Sequence, residues 1–223
     1  MKNKVLVIGA DHHNTLGIVE SLGQKGLNSY VLIVGENINS FVLKSRYVIE
    51  GWVCSSPEQV VDEMLKHFSD TKNKVIVYSS YDNISSVLDS SVQRLSPFFI
   101  LPVTNMPGSL ERKMSKEYMS DLAREVGLDV PRTWMVSDRE VPTDIEFPCI
   151  TKAISSVEGS KKNIKICKKR EELEEFLANS EHCPIIQIQK FIIKDFEFQF
   201  LGCSMDNGKH IIISGLSLIH ISE

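Results

Sequence analysis

Lys152 sits in FPCITKA, a run otherwise apolar enough to form a buried strand. An ammonium group is costly to bury without a partner, so a lysine there must face solvent or an anion. Soon after it, Ser155-Ser156-Val157-Glu158-Gly159-Ser160-Lys161-Lys162 reads as a small, polar loop ahead of the next strand. Backbone N–H groups of Ser156, Gly159 and Ser160 are of the kind that folds over phosphate. Taken singly, a surface lysine and an ordinary hairpin loop explain both features as well.

A second place for chemistry is the loop from Gly9 to Gly17, because ligands of parallel sheets bind beyond the carboxyl ends of strands. This loop is not the G-x-G-x-x-G fingerprint, and no acidic ribose partner is evident, which disfavours an NAD-dependent oxidoreductase. No G-x-x-x-x-G-K-[ST] occurs anywhere, which excludes a P-loop. His12 and His13 have no cysteine or carboxylate at ligand spacing and read as a solvated pair. Asp82 reads as a helix cap.

The elements that must carry these residues fall into two groups. KVLVIGA (4–10), SYVLIVG (29–35), RYVIEGWV (46–53), KVIVYSS (74–80) and FFILP (98–102) read as strands. Between them lie helical patterns. The first carries Leu16, Val19 and Leu22, with Gly26 placed to end it. Another carries Val60, Val61, Met64, Leu65 and Phe68, with Ser56 and Gln59 as a capping box and Pro57 at its first position. Ile84, Val87, Leu88, Val92 and Leu95 line the next. Strands alternating with helices predict a parallel sheet, helices on both faces, over residues 4–102. Pro107-Gly108 marks a linker, so a Rossmann-like domain is expected over 1–108.

From 109 to 223 the pattern changes. One amphipathic helix over 115–126 (Tyr118, Met119, Leu122, Ala123, Val126) stops at Gly127. Strand-like segments follow: RTWMV, FPCITKA, KNIKIC, IIQIQKFI, FEFQFLG and HIIISG, interrupted by the helix EELEEFLAN. Asp206-Asn207-Gly208 is a hairpin signal. This region is expected to be α+β with antiparallel pairing.

Composition narrows the partners. The chain has 223 residues, 42% hydrophobic and 24% charged, with a net charge of −4. At roughly 150 residues per domain that is one domain and a half. No basic field is present for nucleic acid. Apolar runs of about five residues fall far short of the ~20 that cross a bilayer. The N-terminus lacks a secretory pattern, so a cytoplasmic location is expected. Five scattered cysteines with no C-x-x-C read as free thiols rather than disulfides or a zinc site.

Order and spacing carry more than any single motif. Lys116 in KEYMSDLAREVGLDVP precedes Lys152, then the polar loop, then IIQIQKFIIKDFEFQFLG. This succession resembles the ATP-grasp superfamily, and the N-terminal domain, notably GIVESLGQKG, resembles the preATP-grasp domain of its carboxylate–amine ligases. The resemblance runs from about residue 4 to 215. It implies an α/β fold: a preATP-grasp domain with a parallel sheet, then a partial α+β ATP-grasp domain. It implies ATP and Mg²⁺ as cofactors, with small carboxylate and amine substrates, and leaves a homo-oligomer open.

By position, the resemblance makes Lys116 the first ATP-binding basic residue and Lys152 the lysine on the α- and β-phosphates. The loop with Ser156, Gly159 and Ser160 becomes the phosphate-covering lid. Gln189, Lys190, Phe191 and Ile192 become the segment beside adenine, and Glu197 the residue at the ribose. Phe191 reads equally as core packing. Gln189 stands where the family usually has Glu, though an amide carbonyl still accepts from the adenine amino group. The loop is poorer in glycine than the family's. The family's magnesium ligands fall downstream of the hairpin, and the tail SLIHISE does not continue the family pattern and reads as foreign sequence. The expected function is an ATP-dependent carboxylate–amine ligase, here an incomplete fragment. Lys116 and Lys152 are expected to converge on one cleft, and the chain as given is not expected to turn over ATP. The alternative is a non-catalytic nucleotide- or metabolite-binding module.

Overall fold

A computed structural model describes residues 3–102, 106–137, 139–153, 164–180, 185–205 and 208–221. By internal contacts the chain divides into two compact units, Met1–Val126 and Gly127–Glu223. The sequence reading draws its line at 108 instead, on Pro-Gly punctuation. The helices just after that point stay with the first unit, where the Leu110 N–H donates to the buried Asp89 carboxylate at 3.0 Å.

The first unit is built on five parallel strands in the order β3-β2-β1-β4-β5. They are β1 (Val5–Gly9), β2 (Ser29–Val34), β3 (Val48–Cys54), β4 (Val75–Ser79) and the short β5 (Phe99–Ile100). Every residue of β1 is buried, as a central strand covered on both faces requires. Alternation splits its side chains between two cores. Leu6 and Ile8 pack with Val60, Val61, Met64 and Phe68 of α2 (Val60–Phe68) and with Ile84 and Leu88 of α3 (Asp82–Ser90). Val7 points the other way, to Val19 of α1 (His13–Gln24) and to Ile33 and Val42. Helices on both faces of a parallel sheet is the expected arrangement. The unit continues through α4 (Val92–Leu95), α5 (Leu110–Met114) and α6 (Lys116–Glu125).

Two local readings need correction. Ser56 makes no side-chain cap; Gln59 instead reaches back to the Ser55 N–H and hydroxyl, each at 3.0 Å, while Pro57–Gln59 form a 3₁₀ turn before α2. Asp82 is the first residue of α3 rather than its cap, where its charge still suits the positive end of the helix. On α6, Met119, Leu122 and Val126 of the amphipathic stripe are 58%, 45% and 66% exposed.

The second unit holds a four-stranded antiparallel sheet in the order β6-β9-β7-β8. Its strands are β6 (Thr133–Val136), β7 (Cys149–Ala153), β8 (Lys165–Cys167) and β9 (Ile186–Lys190), with α7 (Arg170–Ala178) between β8 and β9. Val136, Cys149, Cys167, Ile186 and Ile188 form one face of the sheet and pack on Leu173 and Leu177 of α7. Two longer strands, β10 (Phe196–Met205) and β11 (His210–Ile221), pair as a separate antiparallel ladder. Gly208 between them has φ +85°, the left-handed turn geometry that the Asp-Asn-Gly signal calls for. The backbone through Ile221 continues β11 and pairs opposite Phe196. Among the described residues no helix is long and apolar enough to cross a membrane.

The hairpin leaves large apolar side chains in water. Phe196, Phe198, Phe200, Ile211 and Ile213 are all at least half exposed or nearly so, and Phe198 meets Phe200 edge-on at 5.3 Å. Exposed apolar strands with free edges promote association. The isolated chain should therefore self-associate as concentration rises. Replacing Phe198 and Ile213 together by Ser should suppress this in sedimentation velocity with little change in thermal stability. A wild-type chain that stays monomeric at high concentration would contradict the reading.

Candidate functional site

Strand alternation decides where Lys152 goes. On β7, Cys149 and Thr151 turn into the core, so Ile150 and Lys152 turn to the opposite face. On β9, Ile188 is buried, so Gln187 and Gln189 share the face of Lys152. The pairing Ile150↔Gln189 and Lys152↔Gln187 makes Lys152 and Gln189 diagonal neighbours. The Lys152 Nζ donates to Gln189 Oε1 at 3.4 Å, and Gln189 Nε2 donates to Thr133 Oγ1 of β6 at 3.3 Å. Thr133 is the cross-strand partner of Gln189. The amide is thus oriented from both sides, its carbonyl toward the lysine. With Ile150 and Met135, these side chains make a half-buried surface, apolar with a few polar groups, as nucleotide and cofactor sites are.

Lys190, one residue on, points elsewhere. Its Nζ lies 2.6 Å from Glu146 Oε2, and Glu146 also approaches Arg132 at 3.8 Å. Arg132 pairs with Asp144, which accepts the Trp134 indole N–H at 3.0 Å, and the guanidinium lies over that ring. The Lys190 ammonium, through hydrogen bond and charge, holds the Glu146 carboxyl below its usual range. This group of charges ties the end of β9 to the loop before β7. Two backbone bonds also hold the end of β9, Lys190 N–H to the Arg132 carbonyl just before β6 and Phe191 N–H to the Pro148 carbonyl just before β7, both 2.9 Å. Phe191 is half-buried, Ile192 is exposed, and Glu197 at the start of β10 pairs with Lys194.

Of the expected site residues, the structure therefore brings Lys152 and Gln189 into contact and leaves Lys190 in an ion pair. Ser156, Gly159 and Ser160 lie outside the described residues. Lys116 opens α6 in the first unit, behind the Ser115 hydroxyl that caps the helix by accepting from the Tyr118 N–H, while its side chain lies outside the described set. Sequence reasoning missed Thr133 and the Arg132–Asp144–Glu146 group. RTWMV read as a strand, but nothing local told that it would pair with β9.

The first unit has a crevice of its own, about 270 Å³, lined by Asp11, His12, Asn14, Thr15, Ser80 and Tyr81. It opens between the carboxyl ends of β1 and β4, where the strand order reverses, the usual ligand position in such sheets. Gly9 is required here: a Cβ would stand 2.0 Å from Ser80 Oγ and 2.3 Å from Thr15 Oγ1. Thr15 donates to the Ala10 carbonyl at 2.7 Å, so at the 2.8 Å contact Ser80 donates to Thr15. His12 caps α1 by accepting the Asn14 N–H on Nδ1, and its ring lies 3.8 Å from that of His13. Asp11 accepts from Ser40 and Asn37, so it anchors the loop after β2. Among the described residues, no group of three or more His, Cys, Asp or Glu side chains is placed to hold a metal ion.

No protein-family model matches the chain, and no curated protein does. Solved structures do. An L-amino acid ligase from Bacillus licheniformis superposes with a TM-score of 0.70 at 16% identity, over 100% of this chain and 52% of that one. An N5-carboxyaminoimidazole synthetase from Staphylococcus aureus gives 0.69 at 11% identity, over 98% and 55%. The biotin carboxylase domain of a 2-oxoglutarate carboxylase from Hydrogenobacter thermophilus, solved with MgADP and bicarbonate, gives 0.65 at 13% identity, over 97% and 50%. The chain thus spans about half the length of these structures. At this identity the likeness is one of fold, and the α/β architecture expected from the sequence holds at that level.

The Glu146 ion pair makes a pH prediction. A carboxyl whose folded pKa is lowered adds stability above its ordinary value, and that part is lost as pH falls through the lowered one. Glu146→Gln should therefore leave the second unit less sensitive to acid below about pH 4.5, read as denaturant midpoints across that range. An unchanged acid limb would show that the pair adds nothing to stability.

Proposed function

We propose that the chain is the nucleotide-binding part of an ATP-dependent carboxylate–amine ligase, with ATP lying on the open face of the β6-β9-β7-β8 sheet. The observation that carries this is the Lys152–Gln189–Thr133 contact, which places a cation beside an oriented amide on a surface otherwise half apolar. In this reading Lys152 binds the α- and β-phosphates. The Gln189 carbonyl retains a lone pair for the adenine amino group. Residues 190–192 run along the base, Glu197 holds the ribose, and the loop with Ser156, Gly159 and Ser160 covers the phosphates. The ion pair of Lys190 with Glu146 fixes the segment rather than touching nucleotide.

The reaction of such ligases transfers the γ-phosphoryl group of ATP to a carboxylate. An amine then attacks the acylphosphate, giving an amide and releasing phosphate, with ADP as the other product. Bound magnesium would supply positive charge that offsets the charge of the phosphates. Among the described residues no group of three or more His, Cys, Asp or Glu side chains is placed to hold it. A second reading, a metabolite-binding module, is favoured by the crevice at Asp11, His12 and Ser80.

Calorimetric titration with ATP, ADP and NAD separates the readings. ATP and ADP should bind and NAD should not. Lys152→Met should weaken ATP by about 1–3 kcal/mol, the scale of one charge-assisted contact, with the fold retained in circular dichroism. ATP binding that is indifferent to Lys152→Met, or a preference for NAD, would remove the proposal.

A further inference from the structure

Cys149 and Cys167 are directly opposed across the β7–β8 ladder, both fully buried on the core face beneath α7. Opposed residues in an antiparallel pair hold their Cα atoms about 4.5–5.5 Å apart, within the span of about 4.4–6.8 Å that a disulfide bridges. Both thiols are free. The two thiols are near enough to bias each other's ionisation. β8 is the edge strand of the sheet and only three residues long. Short edge strands lie at the low-stability end of a fold, where local opening gives a small reagent access.

We propose that Cys149 and Cys167 form a reversible cross-strand disulfide, a redox-controlled clasp that fastens edge strand β8 to β7. This holds whether or not the opposite face of the sheet binds nucleotide. The co-reactant is a low-molecular-weight disulfide, RSSR. The Cys167 thiolate attacks one sulfur of RSSR, its S–S bond breaks, and the departing RS⁻ takes up the proton that Cys167 gave up. The Cys149 thiolate then attacks the Cys167 sulfur, expelling a second RS⁻ that takes the Cys149 proton. The two cysteines are oxidised by two electrons in total, and RSSR is reduced to two thiols.

The order of attack follows from the surroundings. Burial raises both thiols, Cys149 to about 11. Cys167 is also raised by burial, with the Glu172 carboxylate adding to the rise, but the nearby Lys165 charge and the adjoining Cys149 thiol favour its thiolate. Attack should therefore begin at Cys167 and accelerate with pH, since below its pKa the thiolate fraction grows about tenfold per unit. Of the other cysteines, Cys54 is buried in the first unit and Cys203 is exposed on the hairpin.

The test incubates the full folded chain with oxidised glutathione at several pH values, then quenches with acid, unfolds, alkylates and maps the peptides. A peptide pair joined through Cys149 and Cys167, forming faster at higher pH and reopened by dithiothreitol, is the expected result. In Cys149→Ser, Cys167 should hold glutathione as a mixed disulfide. The proposal is overturned if both cysteines remain alkylatable after Cys203 has fully reacted. It is equally overturned if they bridge only in denaturant, or only to other cysteines.

Discussion

The second unit depends on the period-two alternation of one strand. β7 must bury Cys149 and Thr151 to close a core on α7, and that requirement alone turns Lys152 outward, onto the face it shares with Gln189. A slip of one residue in register would bury the ammonium and expose the core, so packing on one face fixes the electrostatics of the other. The cost of an unpaired buried cation is far larger than the energy of any single contact on the open face. The position of the lysine is therefore set by burial, and its chemistry follows from position.

The two units solve the placement of polar groups differently. In the first, helices cover both faces of the sheet, so polar side chains with freedom to meet a ligand are confined to the strand ends, where Gly9 permits Thr15 and Ser80 to close together. In the second, α7 covers one face only, and the other becomes a broad surface with Lys152 near its middle. A crevice at a strand end and an open sheet face are two ways to present a few oriented polar groups beside apolar surface. Each unit carries one of them.

Much of this was legible in the sequence, because the strongest signals were long and periodic. The apolar runs of the first hundred residues fixed strands and helices, and Lys152 stood out within FPCITKA. What could not be read was long-range pairing. Thr133 orients Gln189 from 56 residues away, and no local pattern announces that contact. Capping failed at Ser56 because Ser55 offered Gln59 both an N–H and a hydroxyl. On α6 the period showed that the helix has an apolar face, and period does not show whether anything covers it.

The most direct test of the account is amide hydrogen exchange of the intact chain with and without saturating ATP. The open-face site predicts slowed exchange in β7 and in residues 186–192, with the loop at residues 10–15 and residues 80–81 unchanged. Protection confined to the strand-end crevice of the first unit, with β7 and β9 unaffected, would contradict it.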